Sequence, residues 1–224
     1  MKQLFLQWLD RLGLSRKIPR KHLEDFVRRH AHKGRTLDVG SRGAPYAKYF
    51  PRRIGIDIVK SSGVDIVADA HDLSMFQEGE FDCVLCTEVL EHLHTPPMAL
   101  EEIHRVLKKG GKLILTTRFI FPLHDIPGDY WRFTRYGLEY LLSKFRILEI
   151  EEEVKTMKTF AVLLQRLAFQ SDTLFFKPFS VVWLIMAKIV GLFSFLITKE
   201  YGDVTRKTVT KNIMTSGYYI FCEK

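Results

Sequence analysis

From Gly34 to about Glu153, short apolar runs alternate with helix-patterned stretches. That alternation restricts the chain to an α/β fold, a mostly parallel sheet flanked by helices. The runs predict strands at Thr36–Val39, Ile54–Ile58, Asp65–Ala68, Phe81–Cys86, Lys112–Thr117 and Phe145–Glu151, with a last strand at Gly217–Glu223. The clearest helix starts near Pro96, with Leu100, Ile103, Val106 and Leu107 as its apolar stripe and Lys108-Lys109-Gly110-Gly111 as its stop. Only Val59 to Gly63 separates the second and third runs. A parallel crossover normally takes about a dozen residues, so the third strand is expected to be very short or displaced at the sheet edge.

Around this core the chain divides into residues 1–33, basic and amphipathic; 34–154, the α/β core; 155–211, an apolar helical insertion; and 212–224, a final strand that completes the core sheet. In the first region Leu4, Phe5, Trp8, Leu9 and Leu12 share a helical face, and Arg16, Lys17, Arg20, Lys21, Arg28 and Arg29 follow. Gln3, Gln7, Asp10 and Arg11 interrupt its apolar start, which is not the pattern of a secretory signal. This helical region either packs on the domain or lies on a membrane surface. A net charge of +8 favours anionic partners without choosing among nucleic acid, an anionic membrane surface and a phosphorylated substrate.

The insertion contains Phe179 to Ile197, nearly long enough to cross a bilayer but with Lys188 near its middle. If the segments on either side pair as a hairpin, a single span would strand the last strand on the wrong side. The insertion is therefore expected to fold over the active site, lie in a membrane interface, or dip in and return as a helical hairpin. A buried cap or a dimer interface is the competing reading. Cys83 and Cys86 form a C-x-x-C inside an apolar run with no second pair, so they are expected to be buried strand residues in a reducing compartment.

The chemistry-bearing strings come in a definite order. Leu37-Asp38-Val39-Gly40-Ser41-Arg42-Gly43 is a glycine-containing turn from strand toward a short helical stretch, where the backbone can approach a ligand closely. Asp57 ends the next strand, where a carboxylate is well placed to accept from ribose hydroxyls. Val67-Ala68-Asp69-Ala70 follows, then Phe81 to Cys86 leading into Thr87-Glu88-Val89-Leu90-Glu91-His92, and finally Lys109-Gly110-Gly111 before Leu113-Ile114-Leu115.

This ordered set resembles the class I S-adenosylmethionine (SAM)-dependent methyltransferases, and more narrowly the broad type 11 group, over roughly Thr36 to Phe145. The resemblance implies a Rossmann-like seven-stranded sheet with helices on both faces, the last two strands forming a hairpin. It implies SAM as cofactor, with Gly40 and its neighbours against the methionine part and Asp38 anchoring the loop. Asp57 would bind the ribose, Asp69 and Ala70 the adenine. The full cofactor set it implies is Asp38, Gly40, Ser41, Gly43, Asp57, Ile58, Asp69, Ala70, Thr87 and Glu88. Arg42 departs from the family, which usually has glycine there, so either Gly43 and Pro45 remodel the loop or the pocket is altered.

After the fifth strand, Phe121 to Thr134 mixes a histidine, two acids, an arginine and aromatics where ligands of open α/β sheets sit. Asp125, Tyr130, Trp131, Arg132 and His124 are the candidate substrate residues. His124 is the first choice of proton acceptor for a hydroxyl, with Asp129 also a catalytic candidate and Asp125 a further alternative. A D-Y-W-R-F-T string like Asp129 to Thr134 occurs in type 11 members similar to polysaccharide- and envelope-biosynthesis enzymes. The competing readings are that Tyr130 to Phe133 simply pack the loop, Thr134 capping the next helix. Glu88, Glu91, His92 and His94 lack a typical catalytic-metal spacing, so no metal is expected.

The expected function is SAM-dependent methylation of a small-molecule, glycan or lipid-linked acceptor by a cytoplasmic enzyme, with peripheral attachment to the inner face of the membrane left open. Three alternatives stand beside it. Nicotinamide-dependent oxidoreduction lacks its G-x-G-x-x-G. A non-catalytic, membrane-associated scaffold with a degenerate methyltransferase fold rests on Arg42. Nucleic-acid methylation is disfavoured, because the basic residues crowd the N-terminus rather than a recognition module.

Overall fold

The apolar runs assemble into a seven-stranded sheet of order β3-β2-β1-β4-β5-β9-β6. Its strands are β1 (Arg35–Val39), β2 (Arg52–Asp57), β3 (Ile66–Val67), β4 (Phe81–Thr87), β5 (Leu107–Arg118), β6 (Arg146–Glu152) and β9 (Gly217–Glu223). These come from a computed structural model, which describes residues 18–170, 178–197, 199–203, 205–206, 208–210 and 212–224. Pairings among β3, β2, β1, β4 and β5 are parallel. Strand β9 runs antiparallel to β5, from Lys112 opposite Glu223 to Arg118 opposite Gly217, and sits between β5 and β6. This is the Rossmann-like methyltransferase sheet that the resemblance implies.

Strand β4 is central and buried on both faces, which is why it reads as a continuous apolar run. Its alternate residues serve two cores. Phe81, Val84 and Cys86 join Leu37, Val39, Leu113, Leu115 and Ile220 on one face. Helix α2 (Pro96–Val106) closes that face with Ala99, Leu100, Ile103 and Val106. Cys83 and Leu85 face the other side, with Ile114, Tyr219 and Phe50. There Leu23, Phe26 and Val27 of helix α1 (Ile18–Arg29) pack on the sheet. Cys83 and Cys86 are three positions apart on a strand and so point to opposite faces. Burial pushes the Cys83 thiol up to about 12 and that of Cys86 higher still. The amphipathic face from Leu4 to Leu12 lies outside the described residues.

Strand β3, expected to be very short or displaced at the sheet edge, is both: it is two residues long, half-exposed and at the edge. The short crossover works because residues 58–65 fold straight back onto β2. Asp65 receives the Gly55 N–H on its carboxylate at 2.6 Å and gives its own N–H to the Gly55 carbonyl at 2.8 Å. Helix α2 ends at Val106, before the Lys-Lys-Gly-Gly stop. The fully buried Leu107 already pairs with Phe81 as the first residue of β5, and Lys108 to Gly111 bulge out before regular pairing resumes at Cys83–Lys112. Helix α3 (Arg135–Leu141) begins where Thr134 accepts the Gly137 N–H at 3.1 Å, a side-chain N-cap.

Leu23–Phe119, Leu123–Glu151 and Gly217–Lys224 form one compact unit, while Ile120–Pro122 and Glu152–Ser216 belong to another. The second unit contains α4 (Thr156–Gln170) and α5 (Pro178–Leu192), with Ala168, Val181, Trp183 and Leu184 packed together. The long apolar stretch breaks at Leu192 into a 3₁₀ turn, Phe193–Phe195. Among the described residues no helix is long and apolar enough to cross a membrane. The unit is not helical throughout: β7 (Tyr201–Asp203) and β8 (Thr208–Val209) pair antiparallel. The sequence reading missed them because two- and three-residue strands are too short to show a period.

Candidate functional site

In the sheet order, β1 lies between β2 and β4, so connections leave its two sides in opposite directions. Ligands of open α/β sheets bind outside the C-terminal strand ends at such a switch point. A cavity of about 410 Å³ lies there, lined among others by Gly40, Asp57, Ile58, Ala70, Glu88 and His92. That volume is within the usual range for small-molecule sites.

The loop after β1 is built by glycine and by backbone bonds to its neighbours. Gly40 has φ +71°, and a Cβ there would sit 2.2 Å from Val89 Cγ2. The Gly40 and Ser41 N–H groups both donate to the Ile56 carbonyl, at 2.9 and 3.0 Å. Gly43, at φ +72°, donates to the Ser62 carbonyl at 2.7 Å, and Ser41 Oγ donates to the Gly63 carbonyl at 3.0 Å. The second left-handed residue is thus Gly43, one position after Arg42. Arg42 itself lines the cavity.

Five of the sequence-derived cofactor residues line this cavity: Gly40, Asp57, Ile58, Ala70 and Glu88. Asp38, Ser41, Gly43, Asp69 and Thr87 are not in its lining, and most have other work. Asp38 is buried and meets Arg53 Nε at 2.7 Å. Burial pushes the Asp38 carboxyl up to about 6, against the pull of the Arg53 guanidinium. Arg53 also reaches Asp65 at 3.1 Å and the Gly63 carbonyl. Asp38 therefore fastens β1 to β2 through Arg53, and the loop itself is anchored by Ser41 and Gly43. The Asp69 carboxylate is bonded to the backbone N–H of His71 at 2.9 Å and to its Nδ1 at 2.6 Å. Glu88 has φ +58°, held by the buried Arg118 and by Thr116. A non-glycine residue in that region is strained and needs such neighbours to hold it.

Of the loop residues, Asp125 and Tyr130 line the cavity, whereas His124, Asp129, Trp131 and Arg132 do not. Asp129 is ion-paired with Arg132 at 2.6 Å and receives the His124 N–H at 2.9 Å. Burial opposes its charge, yet these partners hold the carboxyl down to about 2. That makes Asp129 a poor proton acceptor, and its role here is to tie the loop together. Trp131 Nε1 donates to the Leu93 carbonyl at 2.8 Å, and its ring stacks on Phe133. Tyr130 OH meets His94 Nε2 at 2.9 Å.

The imidazole that lines the cavity is His92, and His124 packs edge-on against it with ring centroids 4.8 Å apart. Burial lowers the pKa of His124, so it is neutral near pH 7. His92 is absent from the residues that the sequence suggests for the site. Glu91, beside it, accepts the Tyr130 and Trp131 N–H groups on its backbone carbonyl at 2.9 and 3.1 Å. The E-V-L-E-H string carried the signal for both.

The chain matches a family model described as a methyltransferase domain, over residues 9–156. It is 37% identical over 117 residues to an uncharacterized protein of Methanocaldococcus jannaschii, covering 49% of this chain and 55% of that protein. It is 34% identical over 129 residues to a ubiquinone biosynthesis O-methyltransferase of Alkalilimnicola ehrlichii, covering 49% of each. The chain thus spans about half the length of the curated relatives it matches. Among solved structures it is similar to a 1,6-didemethyltoxoflavin-N1-methyltransferase of Burkholderia thailandensis with bound S-adenosylhomocysteine. The TM-score is 0.54 at 14% identity, over 92% of this chain and 78% of that one.

Proposed function

The chain belongs to the methyltransferase domain family, and from that premise we propose that it transfers the methyl group of SAM to a hydroxyl of an amphipathic small-molecule acceptor. The observation that carries this reading is Asp57 at the end of β2, lining the same cavity as Gly40. The residues present fit the cofactor. A carboxylate is available for ribose hydroxyls, Ile58, Val59, Ala68 and Ala70 offer an apolar wall for a purine, and Gly40 leaves the backbone bare where a side chain would intrude. Bound there, SAM supplies a sulfonium-activated methyl group. The protein's share is alignment and proton removal, because the chemistry is already in the cofactor. Glu88, fixed by Arg118 and Thr116, borders the cavity on the β4 side. His92, backed by His124, is the group that handles the acceptor's proton. On transfer the acceptor oxygen would form the O–CH₃ bond as the S–CH₃ bond breaks, the bonding pair staying on sulfur, and the hydroxyl proton would pass to His92.

A small-molecule acceptor is supported by the relatives' names, an O-methyltransferase of ubiquinone biosynthesis and a toxoflavin methyltransferase. The scaffold alternative rested on Arg42, and Gly43 weakens it by supplying the left-handed turn one residue on. Asp57→Ala removes a charged acceptor of hydrogen bonds, worth about 1.5–3 kcal/mol. We expect its SAM affinity to fall roughly 10- to 150-fold, read by calorimetry with circular dichroism unchanged. Transfer of labelled methyl from SAM to a panel of hydroxylated amphipaths tests the reaction itself. An unaltered rate in Asp57→Ala would remove this site from consideration.

The lipid-linked version of the acceptor is supported by the second unit. Val182, Ile185, Ile189, Leu192 and Phe195 are exposed on and just after α5. An apolar cavity of about 720 Å³ opens in the same unit, lined by Met157, Phe160, Leu164, Leu167 and Val190 among others. Exposed apolar surface of this kind marks an interface. Expected in flotation is co-migration of the full chain with anionic liposomes, released by Ile185→Glu with Leu192→Glu. Full-length protein left in the soluble fraction would rule out membrane presentation.

A further inference from the structure

Glu91 is a carboxylate with nothing in the methyl-transfer reading to explain it. It is fully buried. One oxygen, Oε2, accepts from Thr117 Oγ1 at 2.7 Å, while Oε1 is buried and has no hydrogen-bond partner among the described residues. A buried carboxylate oxygen left in that state is costly, and a native site normally supplies a proton donor or a metal ion to it. Its surroundings supply two imidazoles. His92 Nδ1 lies 2.6 Å from the Gly128 carbonyl, which can only accept, so the proton sits on Nδ1 and Nε2 presents its lone pair. An imidazole whose second nitrogen donates to a backbone carbonyl is the usual arrangement of a metal-binding histidine. One ligand atom from each of Glu91, His92 and His124 lies within 4.8 Å of the other two.

We propose that Glu91, His92 and His124 hold a divalent metal ion of the zinc class at the wall of the cofactor cavity. Two imidazoles and one carboxylate with further positions open make the ligand set of a catalytic metal rather than a structural one. The edge of a filled zinc tetrahedron is ~3.4 Å, so ligand atoms as far as 4.8 Å apart would close by up to ~1.4 Å when the ion binds. Resting on the methyl-transfer reading, the proposal names the acceptor class more narrowly. It is a hydroxyl that would ligate the open position, where the ion would lower its pKa as zinc does that of bound water, and its proton would pass to solvent. In that case His92 and His124 would serve as ligands, and the direct proton-accepting role given to His92 above would belong to the metal-free site.

The test is titration of metal-stripped full-length protein with Co(II), followed by visible absorption, and with Zn(II), followed by calorimetry. Expected are the d–d bands of a low-coordinate nitrogen–oxygen site at one ion per chain. Glu91→Gln and His124→Ala should each weaken binding at least tenfold, whereas the exposed His22→Ala should bind as wild type does. Glu91→Gln keeps size and shape, and His124→Ala is an independent second probe should the first fail to fold. Absent bands, or bands that survive both variants, overturn the proposal. S-adenosylhomocysteine binding is measured on the same samples. Cofactor binding without metal binding sinks the metal site alone, and metal binding without cofactor binding sustains it while removing the methyl-transfer reading.

Discussion

Replacing Arg53 by methionine is expected to destabilise the core unit by about 3–5 kcal/mol at neutral pH, because it leaves the Asp38 carboxylate buried and unpaired. Asp38 and Arg53 have side chains only 5% and 10% exposed, and the guanidinium is 2.7 Å from the carboxylate. Even with its partner present, burial holds the Asp38 carboxyl up at about 6. Without Arg53 its folded-state pKa rises further above the unfolded value of 3.8. The folded state then binds more protons than the unfolded state between those two values, so stability falls as pH rises through that window. The defect should therefore be largest at and above neutral pH and shrink as the medium is acidified toward pH 4. Urea denaturation followed by circular dichroism at several pH values reads this directly. Asp38→Asn placed in the Arg53→Met background removes the charge and should recover much of the loss. A variant as stable as wild type at neutral pH would mean that Arg53 is held for another reason.

Gly40→Ala is the second large effect, and it falls on the cofactor rather than on the fold. The new Cβ meets two obstacles, a left-handed φ of +71° and Val89 Cγ2 at 2.2 Å. The torsion alone costs about 1–2 kcal/mol, and crowding a filled space adds roughly 1–3. The loop relieves both by moving off the Ile56 carbonyl that it shares with Ser41. An expected loss of about 100-fold in SAM affinity corresponds to ~2.8 kcal/mol. Adding Val89→Ala removes the clash but not the torsion, so the double variant should regain only part of the affinity. Full recovery would show that space, not backbone conformation, is what glycine provides.

Much of the fold was legible because burial on both faces marks the central strands. The continuous apolar runs of β4 and β5 follow from two cores on either side of one sheet. The brevity of β3 was legible in the short run from Val59 to Gly63, and the capping role of Thr134 in its place ahead of a helical pattern. The end of α2 was not, because Leu107 suits a helix stripe and a strand equally well, and its pairing with Phe81 decides between them.

Of the residues that the resemblance implies for the cofactor, Gly40, Asp57, Ile58, Ala70 and Glu88 line the candidate cavity, where strand ends meet it. Charged residues were the hard part. Asp38, Asp69 and Asp129 look in sequence like ligand-binding acids. Their bonds to Arg53, His71 and Arg132 are made by side-chain geometry that no spacing announces. His92 was overlooked for the converse reason. A histidine beside several other polar residues carries no mark of which one faces the cavity.

Calorimetric titration of the full chain with S-adenosylhomocysteine tests most directly whether the cavity beside Gly40 and Asp57 is a SAM site. One molecule should bind per chain, and SAM should compete for the same site. Well-folded wild-type protein that takes up neither would contradict the assignment.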